Sequence, residues 1–167
     1  MLATAKPCRQ TAAMNREKGF TLIETMVAVA LIVVLSSMGL AGWRSWQAQQ
    51  RLWQTALQVR HFLETLRDDA NWHSRERMVL AGRSAHSWCL YTGEQTGGCG
   101  GERSGTLHPL WPEVRLVEVT PSLGFYGLRN TAWGGHVRVA NEAGEWRVVV
   151  SGWGRIRMCQ QGADESC

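Results

Sequence analysis

The sequence predicts an α+β protein in which one long N-terminal helix is followed by a small antiparallel β domain. An apolar run over residues 20–42 starts the helix, and an apolar stripe at helical spacing continues it from residue 52 to residue 70. After Ser74, short runs of β-forming residues alternate with Gly-rich turns, which is typical of antiparallel strands. We therefore expect a helix from about Phe20 to about Trp72, with strands after it.

The apolar run over 20–42 is long enough to span a membrane. At about 1.5 Å per residue it covers a hydrocarbon core of roughly 30 Å, so it is predicted to be a transmembrane helix. Four of the 18 basic and one of the 14 acidic side chains precede Phe20, which leaves 14 basic and 13 acidic ones after it. Positive charge ahead of a span holds that end in the cytoplasm, so the C-terminal domain is expected in the periplasm or outside the cell. The nearly neutral remainder is unlike a dedicated nucleic-acid binder.

The second half of the helix, residues 43–73, is predicted to be amphipathic. Its apolar residues recur in steps of three and four: Leu52, Ala56, Val59, Leu63, Leu66 and Ala70. Such a stripe indicates a helix laid against its own domain, with a coiled-coil partner as the alternative. Trp43 and Trp46 directly follow the apolar run, where they suit a membrane interface.

The β domain is predicted over residues 74–167, with seven strands. They are Arg77–Leu80, Ser87–Tyr91, Val114–Val119, Leu123–Tyr126, His136–Ala140, Trp146–Val150 and Arg155–Cys159. The residues Asn141–Gly144 are expected to form the loop of a hairpin. Trp88, Trp133, Trp146 and Trp153 are expected to pack in the core rather than to stack on bases.

Four arginines of this domain form the one constellation that could hold a ligand. If Ala140 pairs with Glu145 in the hairpin, Arg138 lies directly opposite Arg147, which is unfavourable for like charges. Arg155 and Arg157 share one face of the next strand. The four side chains form either a basic patch suited to phosphate or a solvated face neutralised by glutamates, namely Glu118, Glu142 and Glu145.

The cysteines predict disulfides rather than a metal site or a nucleophile. Cys89, Cys99, Cys159 and Cys167 follow the apolar run, an even number on the side where disulfides persist. Three pairings are open, and the local one joins Cys89 to Cys99 and Cys159 to Cys167. No C-x₂₋₄-C pair exists, which argues against zinc. Enzyme signatures such as G-x-S-x-G and H-E-x-x-H are also missing, so we expect no enzyme, no metal and no cofactor.

The junction at Gly19 and Phe20 explains the unusual carboxylate of Glu24 in the apolar run. A peptidase that cut after Gly19 would retain the apolar segment and leave a free amine on Phe20, unlike removal of a secretory signal. A lone carboxylate in a bilayer costs up to a few kcal/mol, so Glu24 needs a partner. The natural partner is an α-amine at the same depth. It is either the amine of the same chain, about one turn away, or that of a neighbour in an assembly of staggered helices, which would fix the axial register.

The letters KGFTLIE at residues 18–24, followed by an apolar helix, closely resemble the prepilin cleavage motif. The resemblance implies that residues 1–19 are a leader, with Met1 and Met14 both open as the start. It also implies cleavage by a prepilin peptidase between Gly19 and Phe20, N-methylation of Phe20, and pairing of Glu24 with a neighbouring subunit's N-terminus.

The rest of the chain resembles the GspH/FimT class of minor pilins and pseudopilins, in which a long helix precedes two small antiparallel sheets. Most similar is the family of the enterobacterial prepilin peptidase-dependent protein A, on the segments RLWQTALQVR, DDANWHSRE, TPSLGFYGLRNTAWGGHVRV and GEWRVVVSGWGRIRMCQQG. This implies a minor subunit of a type IV pilus in the bacterial inner membrane. It would join other minor pilins and the major pilin through its helix, and lie at the pilus tip after assembly has started there.

Two alternatives share this motif and fold. GRIR at residues 154–157 resembles the GRxR motif of DNA-binding minor pilins, which implies DNA as a partner of Arg155 and Arg157, with Arg138 and Arg147 beside them. The other alternative is a pseudopilin of a type II secretion machine.

Overall fold

The structure is a computed structural model that describes residues 19–84, 87–93, 98–100, 105–127 and 131–162, with the backbone alone over 37–41. The chain divides into two compact units, Met1–Leu40 and Ala41–Cys167, and each is described separately. One helix, α1, spans Leu22–His73 and confirms the predicted long helix.

In the first unit, every described side chain up to Ser36 is exposed. Phe20, Leu22 and Ile23 have exposed fractions of 78%, 77% and 67%. None of the helical segments within the described residues is both long enough and apolar enough to cross a membrane. The single-pass topology expected over 20–42 stays a prediction.

In the second unit, the helical stripe predicted from the sequence forms one wall of the core. All six of its residues are buried, from Leu52 at 1% exposed to Ala70 at 0%. They pack with residues from both sheets, among them Val79, Phe125 and Val148. The interpretation as a helix against its own domain is therefore confirmed, because nothing of the stripe is left for a coiled-coil partner.

Within the described residues, nine strands follow the helix. They are β1 Arg77–Arg83, β2 Trp88–Thr92, β3 Thr106–Leu107, β4 Arg115–Val119, β5 Gly124–Phe125, β6 Ala132–Trp133, β7 Gly135–Asn141, β8 Gly144–Val150 and β9 Ile156–Gln160. All seven predicted strands are present. The sequence did not predict β3 and β6, since two residues are too few to show an alternating pattern.

The strands form two antiparallel sheets, a five-stranded one in the order β3-β2-β1-β5-β6 and a four-stranded one in the order β4-β7-β8-β9. The β7–β8 hairpin has the predicted register, with Ala140 opposite Glu145 and Arg138 opposite Arg147. Its loop is fixed by Asn141, whose side chain accepts a hydrogen bond from the Ala143 N–H and donates one to the Ala48 carbonyl on α1.

The helix ends at a tight turn. Ser74 takes a left-handed conformation with φ of 49°, and the Arg75 N–H donates to the Ala70 carbonyl at 3.1 Å. Gly127 lies against this turn so closely that a Cβ there would come within 2.3 Å of the Arg75 nitrogen. Only glycine therefore lets the β5–β6 connection approach the helix end.

A short segment before β4 packs across the polar side of α1, which the sequence pattern did not reveal. The Arg51 guanidinium lies 4.5 Å from the Trp111 ring centre, and the Trp111 Nε1 donates to Gln54 Oε1 at 3.1 Å. Arg51 also donates to Glu113 Oε1, and this hydrogen bond holds the pKa of that carboxyl below its ordinary value of 4.5.

Candidate functional site

The predicted cleavage junction is open to a protease. Gly19 and Phe20 precede α1, have no regular secondary structure, and are exposed. A Cβ built on Gly19 meets nothing within 4 Å, so nothing in the described residues requires glycine there. A requirement for glycine at this position would have to come from an enzyme that binds the junction.

Thr21 and Glu24 organise the first turn of the helix. The Glu24 N–H donates to the Thr21 carbonyl at 3.0 Å and lies 3.4 Å from Thr21 Oγ1, which is the arrangement of an N-cap. Glu24 is the acidic residue of the first turn. Its carboxylate is stabilised there by the partial positive charge of the helix N-terminus, and a nearby ammonium group would add to that effect.

The disulfide between Cys89 and Cys99 is confirmed, with a Cα–Cα distance of 5.8 Å. It ties β2 to the 3-10 turn Gly98–Gly100. Cys159 is also disulfide-bonded, while its expected partner Cys167 lies outside the described residues.

The four arginines do not form one free basic patch. Arg138 is held by Glu118 Oε2 at 3.0 Å and Glu145 Oε1 at 3.3 Å, so its charge is neutralised. For Arg138 the structure agrees with the alternative of a face neutralised by glutamates, because two cross-strand carboxylates flank it on the same face. Glu142, the third expected glutamate, instead lines a groove beside Arg44.

Arg155 and Arg157 do come together, in a groove of about 470 Å³ that Val149, Ser151 and Trp153 complete. Arg157 lies opposite Val149 in the β8–β9 ladder. Among the described residues, the groove lining contains two guanidinium groups, one hydroxyl and one indole, but no carboxylate. Such a lining suits an anion that also presents a flat apolar group.

Arg147, opposite Cys159, is separated from this pair by one row of the ladder. Within the described part of the chain it forms no ion pair. The structure therefore keeps Arg155 and Arg157 as a pair, places Arg147 near them, and assigns Arg138 to a salt-bridge network.

The tryptophans are only partly core residues. Trp88 and Trp146 pack against the core as expected. Trp133 and Trp153 are 51% and 84% exposed, so the expectation for these two is wrong. Trp153 lies in the turn between β8 and β9. The Ser151 N–H donates a hydrogen bond to the Arg155 carbonyl across this turn, and the indole of Trp153 is left exposed.

Metal and acid–base chemistry find little support among the described residues. No group of three or more His, Cys, Asp or Glu side chains in that part of the chain could hold a metal ion. Asp69 and His73, one helical turn apart, meet at 2.9 Å, but Arg77 binds the same carboxylate at 2.6 Å. This is a structural cluster at the end of α1.

The comparison with protein families gives one finding at the junction. Residues 14–40 match the prokaryotic N-terminal methylation motif. This motif indicates a type IV pilin-like protein of the kind that prepilin peptidase processes. The matched segment includes Gly19, Phe20 and Glu24. No curated protein and no solved structure matches the chain significantly.

Proposed function

We propose that the chain is a minor pilin of the GspH/FimT class that helps to start assembly of a type IV pilus. Prepilin peptidase would cut between Gly19 and Phe20 and N-methylate Phe20. Residues 20–42 would anchor the mature subunit in the inner membrane, with the β domain in the periplasm. The subunit would then join other minor pilins and the major pilin, and end at the pilus tip.

The observation that carries this proposal is the junction itself. An exposed, non-helical Gly19–Phe20 bond stands directly before a Thr21-capped helix, with a carboxylate in its first turn. Every described side chain of the following apolar segment is exposed, so its apolar surface is available to lipid or to other helices. Both are expected of a subunit that is processed at a membrane and then packs by its helix.

The experiment is complementation of a strain that lacks this gene with Glu24→Gln, scoring surface pili. We expect normal cleavage but a severe loss of pili, because the neutral side chain no longer attracts a neighbouring subunit's N-terminus. Glu64→Gln is the matched control, since it removes a partly exposed carboxylate from the same helix, whose ion pair within the described residues is with Arg60.

Three results bear on this proposal. Normal piliation with Glu24→Gln would contradict the assembly role. Intact pili with a defect in protein secretion would identify a pseudopilin of a type II machine instead. Gly19→Leu should stop processing. Because nothing among the described residues crowds that position, such a loss would report on the peptidase rather than on folding.

The groove at Arg155 and Arg157 favours a second candidate function, DNA binding for uptake. Two guanidinium groups suit phosphates, and the exposed Trp153 indole suits an unstacked base. We expect duplex and single-stranded DNA to bind the mature protein more weakly as salt rises, and Arg155→Ala/Arg157→Ala to abolish binding. Arg138→Ala is the control, because that side chain is already neutralised by glutamates. Absence of binding at low salt would exclude this function.

A further inference from the structure

The four edges of the two sheets differ in how they are protected against pairing with other strands. Edge strands β3 and β6 have only two residues each. Edge strand β4 is irregular, with a register shift between Leu116 and Glu118. Short length and bulges are both means of blocking an edge. Edge strand β9, by contrast, has five residues in unbroken register with β8.

The hydrogen bonds show which backbone groups of β9 point outward. The Gln161 N–H donates to the Glu145 carbonyl, and the Ser151 N–H donates to the Arg155 carbonyl. In an antiparallel ladder, every second residue bonds to the neighbouring strand and those between turn their N–H and C=O groups away. Ile156, Met158 and Gln160 therefore direct their backbone groups to the free side, and no described residue pairs with β9 there.

The side chains of β9 restrict what could pair with it. Arg155 and Arg157 are exposed on one face, while Ile156 and Met158 face the core. Pairing β9 with β9 of a second copy would bring arginines close to arginines, which is destabilising. A strand with carboxylates at alternate positions would instead place them beside the guanidinium groups.

We propose that the outer edge of β9 binds an extended acidic segment of another polypeptide, which adds a fifth strand to the four-stranded sheet. The main-chain groups of Ile156, Met158 and Gln160 would supply the hydrogen bonds, and Arg155 and Arg157 would select acidic residues. This inference rests on the proposed function, in that the segment would come from a neighbouring subunit of the assembly.

The experiment uses the processed full-length chain in detergent micelles and a short blocked peptide of alternating valine and glutamate. A peptide with lysine in place of each glutamate is the matched control. We expect the acidic peptide to slow amide exchange at Ile156, Met158 and Gln160 by about tenfold or more, because these amides become hydrogen-bonded. The lysine peptide should leave their exchange unchanged, and Arg155→Glu/Arg157→Glu should reverse this preference.

Met158→Pro separates backbone pairing from charge alone. The Met158 N–H points away from β8, so proline there removes an outward donor and no bond of the existing ladder. We expect loss of peptide binding with both arginines still present. Val117→Pro is the control, since it places proline at the irregular position of the opposite edge, and it should bind the peptide normally.

Three outcomes would overturn the inference: equal protection by both peptides, protection elsewhere in the chain, or unchanged binding by Met158→Pro. Should Met158→Pro be misfolded, Gln160→Pro makes the same test two ladder rows away without removing a core side chain. DNA binding without peptide binding would also overturn it and assign the arginines to nucleic acid. If the peptide test fails while the protein is cleaved and pili form normally, the proposed function still stands. If the wild-type protein is not processed, the proposed function itself is contradicted.

Discussion

The two halves of helix α1 contain similar apolar residues in very different surroundings. Leu31 in the first half is 58% exposed, and all described neighbours up to Ser36 are exposed as well. Leu63 in the second half is fully buried against the sheets. The first half is apolar around its whole circumference, whereas the second half is apolar along one stripe.

This difference shows which apolar surface of the helix the described fold buries and which it leaves exposed. A single stripe matches one packing surface, and the β domain provides it. A helix that is apolar all round needs apolar surroundings on every side. In the proposed function, lipid or neighbouring helices would supply these surroundings, and stability of the β domain should not depend on the first half.

The largest expected effect is a loss of stability when a buried side chain of the helical stripe is truncated. Leu63→Ala removes a fully buried side chain and should lower the free energy of unfolding by about 2–5 kcal/mol. Leu31→Ala makes the same chemical change in the exposed half and should stay within about 0.5 kcal/mol. Denaturant unfolding in micelles, followed by tryptophan fluorescence, would measure both. Similar losses from the two substitutions would contradict the division of the helix.

The next largest loss of stability is expected when the disulfide bond of the second unit is removed. Replacing both Cys89 and Cys99 by serine should lower the free energy of unfolding by about 2–4 kcal/mol, because the unfolded chain gains freedom. Reducing agent should lower the stability of the parent protein more than that of the variant, because the variant lacks the Cys89–Cys99 bond from the start. A variant as stable as the parent under oxidising conditions would contradict this account.

A smaller loss of stability is expected when a new side chain crowds the disulfide. A Cβ on Gly82 would approach Cys99 Sγ to 2.7 Å and the Tyr91 ring to 3.1 Å, so Gly82→Ala should cost about 1–3 kcal/mol. Gly100→Ala is the control, because a Cβ there meets nothing within 4 Å. Thermal unfolding of both variants would test this, and an equal loss in the two would show that crowding is not the cause.

The smallest effect is a pH dependence. The hydrogen bond from Arg51 depresses the pKa of Glu113, so the folded state gains stability above pH 4.5 that is lost as the pH falls through the lowered pKa. Because the pair is exposed, the gain should not exceed about 1 kcal/mol. Glu113→Gln should reduce the slope of stability against pH below 4.5. An unchanged slope would show that the ion pair does not contribute.

The sequence was most informative where the spacing of residues along one element reflects what that element packs against or pairs with. The stripe of Leu52 to Ala70 and the β7–β8 register follow from periodicity and a turn signal, and both are confirmed. Contacts between distant segments leave no such pattern. The packing of Trp111 and Glu113 on α1 was therefore missed. Neutralisation of Arg138 by Glu118 was one of two alternatives that the sequence left open, and the structure shows that ion pair. Trp153 was misjudged because an apolar residue in a turn looks the same in sequence whether it is covered or not.

The most direct test of the central claim is the intact mass of the protein purified from cells that contain prepilin peptidase. The account predicts the mass of Phe20–Cys167 with two disulfides, one at Cys89–Cys99 and one that includes Cys159, and one added methyl group, which fragmentation places on Phe20. A chain that keeps Gly19, or a cleaved chain with an unmodified Phe20, would contradict it.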